Sequence, residues 1–275
     1  MHVITLGTGC PLPDPDRAGP ATLVQAGATN LLFDCGRGVL MRAAAVPVGP
    51  GGFTAVFLTH LHSDHVTDLN DIITMQWAMT FTPTPLRIIG PVGTSAFVER
   101  TLAMLRDDIG YRVTHHDDLN WEPVVEVTEV TAGVVHDQDG IRVLAEPTDH
   151  RPVEPTVGYR VESDGRSVAI AGDTKPCPGL DRLCAGVDLY VQTVVRTAGV
   201  EAVPVPRLLD ILDYHSTIEE AADTATRNRV GTLVMTHPVP APASGSELAA
   251  QWVADASVGF AGPVLLADDL QRFEV

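Results

Sequence analysis

The sequence predicts an α/β fold built from layers of strand and helix. Short runs rich in Val, Ile and Leu recur along the whole chain, interspersed with fewer, longer stretches of helical character. Gly and Pro are scattered between these runs as turn residues. No Gly/Ser-rich linker, low-complexity tract or long block of like charge interrupts the sequence. We therefore expect a single domain over residues 1–275.

Each apolar run is a few residues long and bounded by Gly, Pro or polar residues, which is typical of buried strands. We expect strands at Val3–Leu6, Thr22–Gln25, Asn30–Phe33, Thr54–Leu58, Leu86–Ile89, Val124–Val130, Ile141–Ala145, Gly158–Val161, Ser167–Ala171, Leu189–Gln192 and Thr232–Met235. Helices are expected at Asp68–Met79, Thr94–Asp108, Thr217–Arg229 and Glu247–Phe260. In the third helix, Thr217 precedes Glu220 by three residues, the spacing of a capping box.

The composition is that of an ordinary globular protein with an acidic surface. The chain has 18 Lys and Arg against 35 Asp and Glu, a formal net charge of −17. Such a surface repels polyanions and weakens a nucleic-acid hypothesis, although two bound divalent cations would make the site locally positive. No apolar run approaches the roughly 20 residues that span a bilayer, and no signal peptide is recognisable. We expect a cytoplasmic protein with no membrane partner, whose four cysteines are free thiols.

Three of the predicted strands lead directly into a residue that can bind a metal. Residues just past strand ends are held rigidly, and they can converge on one edge of a sheet. The three segments are Leu58-Thr59-His60, Ala171-Gly172-Asp173 and Met235-Thr236-His237. The recurrence makes convergence on a shared site a specific hypothesis.

The densest group of ligand types is the run from His60 to His65. It places His60, His62, Asp64 and His65 within six positions. Imidazole and carboxylate are ligands that zinc accepts, and burying four such groups without a metal would be costly. A solvated loop is the alternative explanation. Four residues cannot complete the shells of two metals, so further ligands must come from elsewhere, with His150, Asp173 and His237 as the candidates.

These residues and their order resemble the metallo-β-lactamase superfamily, most closely its ribonuclease Z and arylsulfatase-like branch. The resemblance runs nearly end to end through Leu6-Gly7-Thr8-Gly9-Cys10-Pro11, Phe33-Asp34-Cys35-Gly36-Arg37-Gly38, the full run at 60–65, His150 with Gly158-Tyr159-Arg160, Gly172-Asp173-Thr174, His215-Ser216-Thr217 and Thr236-His237. It implies a four-layer αββα sandwich and a homodimer.

The resemblance also implies the ligand sets. One zinc would be held by His60, His62 and His150, and the other by Asp64, His65 and His237, with Asp173 and a water bridging them. The same nitrogen and oxygen ligands can bind manganese or iron. Two cations roughly 3.5–4 Å apart can activate a bridging hydroxide for in-line displacement at a phosphodiester or aryl sulfate. Asp64 would orient the nucleophile while it ligates, and His215 would act as general acid; a helix-capping role is the alternative for His215.

Two substrate classes remain for a hydrolase of this branch. A small phosphodiester or sulfate ester is favoured over tRNA 3′-processing by the acidic charge and by three departures from the resemblance. No Gly-rich and basic arm lies between His150 and His215, Gln192-Thr193-Val194-Val195 replaces a His-Glu-Ala-Thr segment, and a Pro-rich stretch follows His237. A third hypothesis, a non-catalytic metal-binding protein, is disfavoured because every ligand position is filled. β-Lactam hydrolysis is disfavoured because the bridging position holds Asp173.

Overall fold

A computed structural model describes residues 1–49, 51–203 and 205–275. The strands are β1 His2–Gly7, β2 Ala21–Ala26, β3 Thr29–Phe33, β4 Ala55–Phe57, β5 Leu86–Gly90, β6 Val125–Glu129, β7 Gly133–Gln138, β8 Ile141–Pro147, β9 Val157–Ser163, β10 Arg166–Ile170, β11 Leu189–Val195, β12 Thr232–Val239, β13 Val264–Leu266 and β14 Gln271–Glu274. The helices are α1 Val39–Ala43, α2 Ser63–Val66, α3 Leu69–Ala78, α4 Thr94–His115, α5 Pro178–Cys184, α6 Thr197–Glu201, α7 Pro206–Leu209, α8 Ile218–Arg227 and α9 Glu247–Gly259. A 3-10 turn at Asp210–Asp213 follows α7.

The strands form two mixed seven-stranded sheets, in the orders β14-β1-β2-β3-β4-β5-β6 and β13-β12-β11-β10-β9-β8-β7. The two sheets pack face to face over a shared apolar core. Phe33 and Phe57 of the first sheet stack at 4.8 Å, and Tyr159 of the second sheet meets Phe57 edge-on at 5.3 Å. The Tyr159 hydroxyl donates to the carbonyl of Leu58 at 2.7 Å, which satisfies its one buried polar group.

Helices cover the outer face of each sheet. The first sheet packs its other side against α1, α3 and the start of α4, and the second sheet packs against α5, α8 and α9. Four layers therefore alternate as helix, sheet, sheet and helix. This architecture confirms the predicted αββα sandwich.

Helix α8 is formed by an N-terminal capping box and an apolar face, both of which are visible in the sequence. Thr217 accepts a hydrogen bond from the backbone N–H of Glu220, and the Glu220 carboxylate accepts one from the backbone N–H of Thr217. The predicted capping box is thus formed, and it begins the helix immediately after His215. Ile218, Ala221, Ala222 and Ala225 lie on its buried face.

The main differences from the predicted elements are short or polar segments. All the predicted strands and helices are present to within a few residues, except that α4 continues seven residues past Asp108, to His115. Its extension is held by Ile109, which packs with Trp77 and Leu119. Strands β7, β13 and β14 were not predicted, because only two of the six residues of β7 are Val, Ile or Leu and the other two strands have only three or four residues. In the described parts of the chain no helix has the length and apolarity to cross a membrane.

A buried histidine between the sheets gives a prediction about stability. His136 on β7 is 4% exposed and contacts Phe57 edge-on, and neither of its ring nitrogens has a hydrogen-bond partner among the residues that the structure describes. Burial, assisted by Arg87, lowers its pKa below the ordinary value of 6.5. As the pH falls below 6.5, His136 is therefore protonated in the unfolded chain but stays neutral in the folded chain. The free energy of unfolding decreases as a result.

We expect His136→Leu to become progressively more stable than the wild type as the pH is lowered from 7.5 to 5.5. The gap in the free energy of unfolding should widen by up to about 1.4 kcal/mol per pH unit below 6.5. Urea unfolding at several pH values measures it. The other histidines titrate in both proteins and cancel in the difference. A gap that does not change with pH would contradict this account.

Candidate metal centre

The fold brings the three predicted strand ends to one edge of the sandwich. His60 lies three residues past β4, and Asp173 lies three residues past β10. His237 differs from expectation because β12 continues through it to Val239, with His237 at a positive φ of 50°. Its N–H donates to the Thr8 carbonyl at 3.1 Å, which fixes this unusual backbone. His150 reaches the same edge from the connection between β8 and β9.

One group of ligand atoms comes from His60, His62, His150 and Asp173. His60 Nε2 lies 3.1 Å from His62 Nδ1, and His150 Nε2 lies 3.3 Å from the same atom. His60 and His150 are fully buried, whereas His62 is partly exposed at the mouth of the site. The three imidazoles therefore turn their ring nitrogens toward one point.

A second group comes from Asp64, His65 and His237. His237 Nε2 is 3.1 Å from Asp64 Oδ2, and His65 Nε2 is 3.6 Å from that oxygen. All three residues are buried. Residues distant by more than 170 positions in the chain thus meet at one point.

Asp173 lies between the two groups. Its Oδ2 is 3.3 Å from His65 Nε2 and 3.8 Å from His237 Nε2, in the second group, and 3.8 Å from His60 Nε2, in the first. His150 Nε2 lies 3.9 Å away. One carboxylate oxygen that faces imidazoles of both groups is placed where a bridging ligand is needed.

The donor set fits metal cations. His65 Nε2 and Asp173 Oδ1 are buried and have no hydrogen-bond partner in the described structure. Buried polar atoms without partners are rare, and each needs an explanation such as an ion. Ring nitrogens 3.1–3.3 Å apart would compete for a single proton, but they can share a cation. Cations at both groups would satisfy all of these atoms.

Burial lowers the pKa of all three imidazoles in the first group, which favours metal binding. It lowers the pKa of His60 and His62, and lowers the pKa of His150 to about 4. The three imidazoles are therefore neutral near pH 7, the state in which a ring nitrogen has a free lone pair.

The second group is more strongly coupled to carboxylates. Burial opposes the charge on Asp173, but His237 and His65 outweigh it and hold the pKa of Asp173 well below its ordinary range. Burial also opposes the charge on His65 and His237, yet Asp173 raises the pKa of both. A metal at this group would therefore displace protons from the two imidazoles, which makes its binding pH-dependent.

Hydrogen bonds behind the site orient several of these rings. Asp34, held at a positive φ of 58°, accepts from the Thr59 hydroxyl and contacts His65 Nδ1, both at 2.8 Å. The backbone carbonyl of Tyr214 lies 2.8 Å from His150 Nδ1. Such contacts fix which ring nitrogen faces a metal.

His215 lies beside Asp173 at the same edge. Its Nε2 is 3.1 Å from Asp173 Oδ2, and its Nδ1 is 3.1 Å from the carbonyl of Ile211. Both ring nitrogens therefore face oxygen atoms, one of a carboxylate and one of the main chain. The sequence indicated His215 only through the resemblance, and main-chain carbonyls such as that of Ile211 leave no signal in a sequence.

A glycine beside the centre is expected to be intolerant of substitution. Gly172 has a φ of +67°, and a Cβ there would lie 2.7 Å from Thr59 Cβ. We expect Gly172→Ala to displace Thr59 and Asp173 and to lower metal affinity and hydrolysis at least about tenfold. Gly165→Ala is the matched control, with φ +74° and nothing within 4 Å. It should carry only the left-handed strain of about 1–2 kcal/mol.

Metal titration and thermal unfolding of both glycine variants separate the two effects. Equal metal affinity and equal activity in the two would show that the contact with Thr59 is unimportant.

Known proteins resemble this chain over its whole length. A family model described as a beta-lactamase superfamily domain matches residues 29–238. Ribonuclease Z of Mycolicibacterium paratuberculosis is 58% identical over 277 residues, covering 100% of this chain and 98% of the relative. Ribonuclease Z of Mycobacterium tuberculosis strain H37Rv is 54% identical with the same coverage.

Solved structures agree with the fold. The short form of human tRNase Z is 26% identical with a TM-score of 0.72, covering 100% of this chain and 99% of that one. The metallo-beta-lactamase fold protein YhfI from Bacillus subtilis has a TM-score of 0.77 at 20% identity, covering 100% and 98%. With its two sheets, its clustered His and Asp residues and these relatives, the chain belongs to the beta-lactamase superfamily, in its ribonuclease Z family of metal-dependent hydrolases.

Proposed function

We propose that this hydrolase cleaves a phosphodiester bond at the 3′ end of precursor tRNA, using two zinc ions. The observation that carries the proposal is the full-length identity of 52–58% to proteins named ribonuclease Z. The acidic charge and the missing arm favour a small ester over tRNA, whereas the relatives favour tRNA. Seven clustered ligand residues support an active site rather than a degenerate one.

His60, His62 and His150 would hold one ion, and Asp64, His65 and His237 the other, with Asp173 between them. Two divalent cations there supply Lewis-acid stabilisation of the phosphoryl oxygens and a nucleophile at neutral pH. Manganese or iron suits the same ligands.

The chain's own residues then perform three tasks. Asp64 lines the cavity, where its carboxylate would accept a hydrogen bond from the attacking water and so orient it. His215, fixed by the Ile211 carbonyl, donates a proton from Nε2 to the leaving oxygen. The apolar walls around the site limit the access of bulk water, which strengthens both interactions.

A small phosphodiester is the second candidate, and a specific observation favours it. The connection from β8 to β9 is only nine residues long, and it is tied back by hydrogen bonds between Thr148 and Thr156. It therefore offers no protruding arm to grip a tRNA. The net charge of −17 points the same way.

The test is a parallel assay of the zinc-loaded protein on precursor tRNA, bis-p-nitrophenyl phosphate, a cyclic nucleotide and an aryl sulfate. Cleavage at the 3′ junction of the tRNA, with a KM that rises steeply with salt, is the expected result because phosphate contacts release counterions. Turnover of the small esters without tRNA cleavage would overturn the proposal in favour of the second candidate. Metal content measured on the same sample tests the two-ion stoichiometry.

A further inference from the structure

The metal centre opens into a cavity of about 210 Å³ with two unlike ends. One end carries the ligand residues, among them His62, Asp64 and Asp173. The other end is apolar, and its lining includes Val200, Leu208, Ile211 and Val239, which we call the apolar wall. A substrate whose phosphate is bound at the metal centre can therefore extend into an uncharged part of the same cavity.

The apolar wall is built mainly by residues of α6, of α7 and of the 3-10 turn. Val200 and Val239 are buried in a small separate cluster, and Leu208 and Ile211 pack against it. Apart from the metal-centre residues, the described residues that line the cavity include no charged side chain. A charged substituent would lose its hydration there without gaining a partner.

The size and the aromatic edge of the cavity narrow the choice of occupant. A volume of about 210 Å³ is below the roughly 300–1,000 Å³ of sites that enclose a drug-sized ligand, so it suits one ring system. Tyr214 also lines the cavity, beside His215. Bases bind well to such combinations of aromatic and apolar side chains, because every base has a flat uncharged face.

We propose that the apolar wall binds the nucleobase next to the scissile phosphate, so that the enzyme selects a phosphodiester by its adjacent base. The proposal rests on the phosphodiesterase function proposed above, but not on tRNA as the substrate. The phosphate lies at the metals and the neutral ring lies against Leu208 and Ile211. A sugar phosphate without a base leaves this compartment unused.

The test measures binding directly, by calorimetry with the zinc-loaded protein. The ligands are adenosine 5′-monophosphate, adenosine 3′-monophosphate and ribose 5-phosphate. All three have a phosphate and a ribose; the first two carry adenine and differ in the position of the phosphate, and the third has no base. We expect the wild type to bind the better nucleotide at least about fivefold more tightly than ribose 5-phosphate, as one stacked base allows.

Leu208→Ser and Ile211→Ser should reduce that preference to less than about twofold, while the backbone carbonyl of residue 211 still contacts His215. Leu209→Ser is the matched control. Leu209 follows Leu208 in α7, is 43% exposed and is not among the residues that line the cavity, so the preference for the nucleotide over ribose 5-phosphate should persist. Ile211→Val, a milder change, should give an intermediate value if the serine variants unfold.

Equal binding of all three ligands by the wild type, or no nucleotide binding at millimolar concentration, would overturn the proposal. So would a base preference that survives both serine variants. Because these measurements need no cleavage, a protein inactive on precursor tRNA but selective for nucleotides would separate the failure of the tRNA function from the failure of this inference.

Discussion

Replacing Asp173 by alanine is expected to abolish metal-dependent hydrolysis of bis-p-nitrophenyl phosphate while leaving the chain folded. The Asp173 carboxylate faces both sets of ligands, with Oδ2 3.3 Å from His65 Nε2 and 3.8 Å from His60 Nε2. Its loss removes the shared negative charge from both positions. We expect turnover to fall by at least about 10²–10³-fold, the scale seen when one preorganised polar group is removed.

Two companions make the Asp173 experiment specific. Asp173→Asn keeps the side-chain volume but removes the charge, so it should lose activity and bound metal nearly as completely. Asp188→Asn is the control, since Asp188 binds Arg166 and Ser167 at the opposite end of β10 from Asp173.

His62→Ala should also abolish hydrolysis, with little effect on packing because His62 is partly exposed. Undiminished turnover in Asp173→Ala or His62→Ala, with metal content unchanged, would contradict the site.

The local part of the centre could be predicted because the chain itself sets its geometry. Four ligand types within six positions after β4 cannot be far apart, whatever the rest of the fold does. His150, Asp173 and His237 meet this run only through the sheet topology. The strand-end settings of Asp173 and His237 predict convergence, but His150 has no such setting, and the family resemblance is needed to assign partners to all three.

The short helices beside the site, and the cavity that they line, could not be predicted from the sequence, and the reason is physical. The helices α6 and α7 have five and four residues, too short for a helical period to be visible in the sequence. They are held by packing of Val200 and Leu208 near Cys10 and Val239, contacts between distant parts of the chain. The cavity that they line beside the metal centre therefore depends on contacts that exist only in the folded chain.

Net charge is a weak guide to the substrate. The sum of −17 covers the whole surface, but salt screens exposed charges beyond about 8–10 Å. What a phosphate meets at the site is the local set of imidazoles, carboxylates and bound cations. Bulk charge therefore limits long-range attraction of a polyanion more than it limits chemistry at the centre.

Replacing His215 by glutamine is expected to slow hydrolysis according to the leaving group. If His215 protonates the leaving oxygen, a dinucleotide, whose leaving group is a ribose alkoxide, should lose about 10²–10⁴ in kcat, the usual contribution of a general acid. The p-nitrophenolate of bis-p-nitrophenyl phosphate is a stable anion that leaves without a proton. Its kcat should fall less than about tenfold.

The leaving-group comparison separates proton donation from a purely positioning role. Since His215 Nε2 is only 3.1 Å from Asp173 Oδ2, the ring could instead serve to hold that carboxylate. A positioning role predicts equal losses on both substrates together with lower metal content, because the disturbance would reach the ligands themselves. A general acid predicts unequal losses and unchanged metal content. Equal losses would therefore assign His215 to positioning Asp173 and would leave proton delivery to another donor.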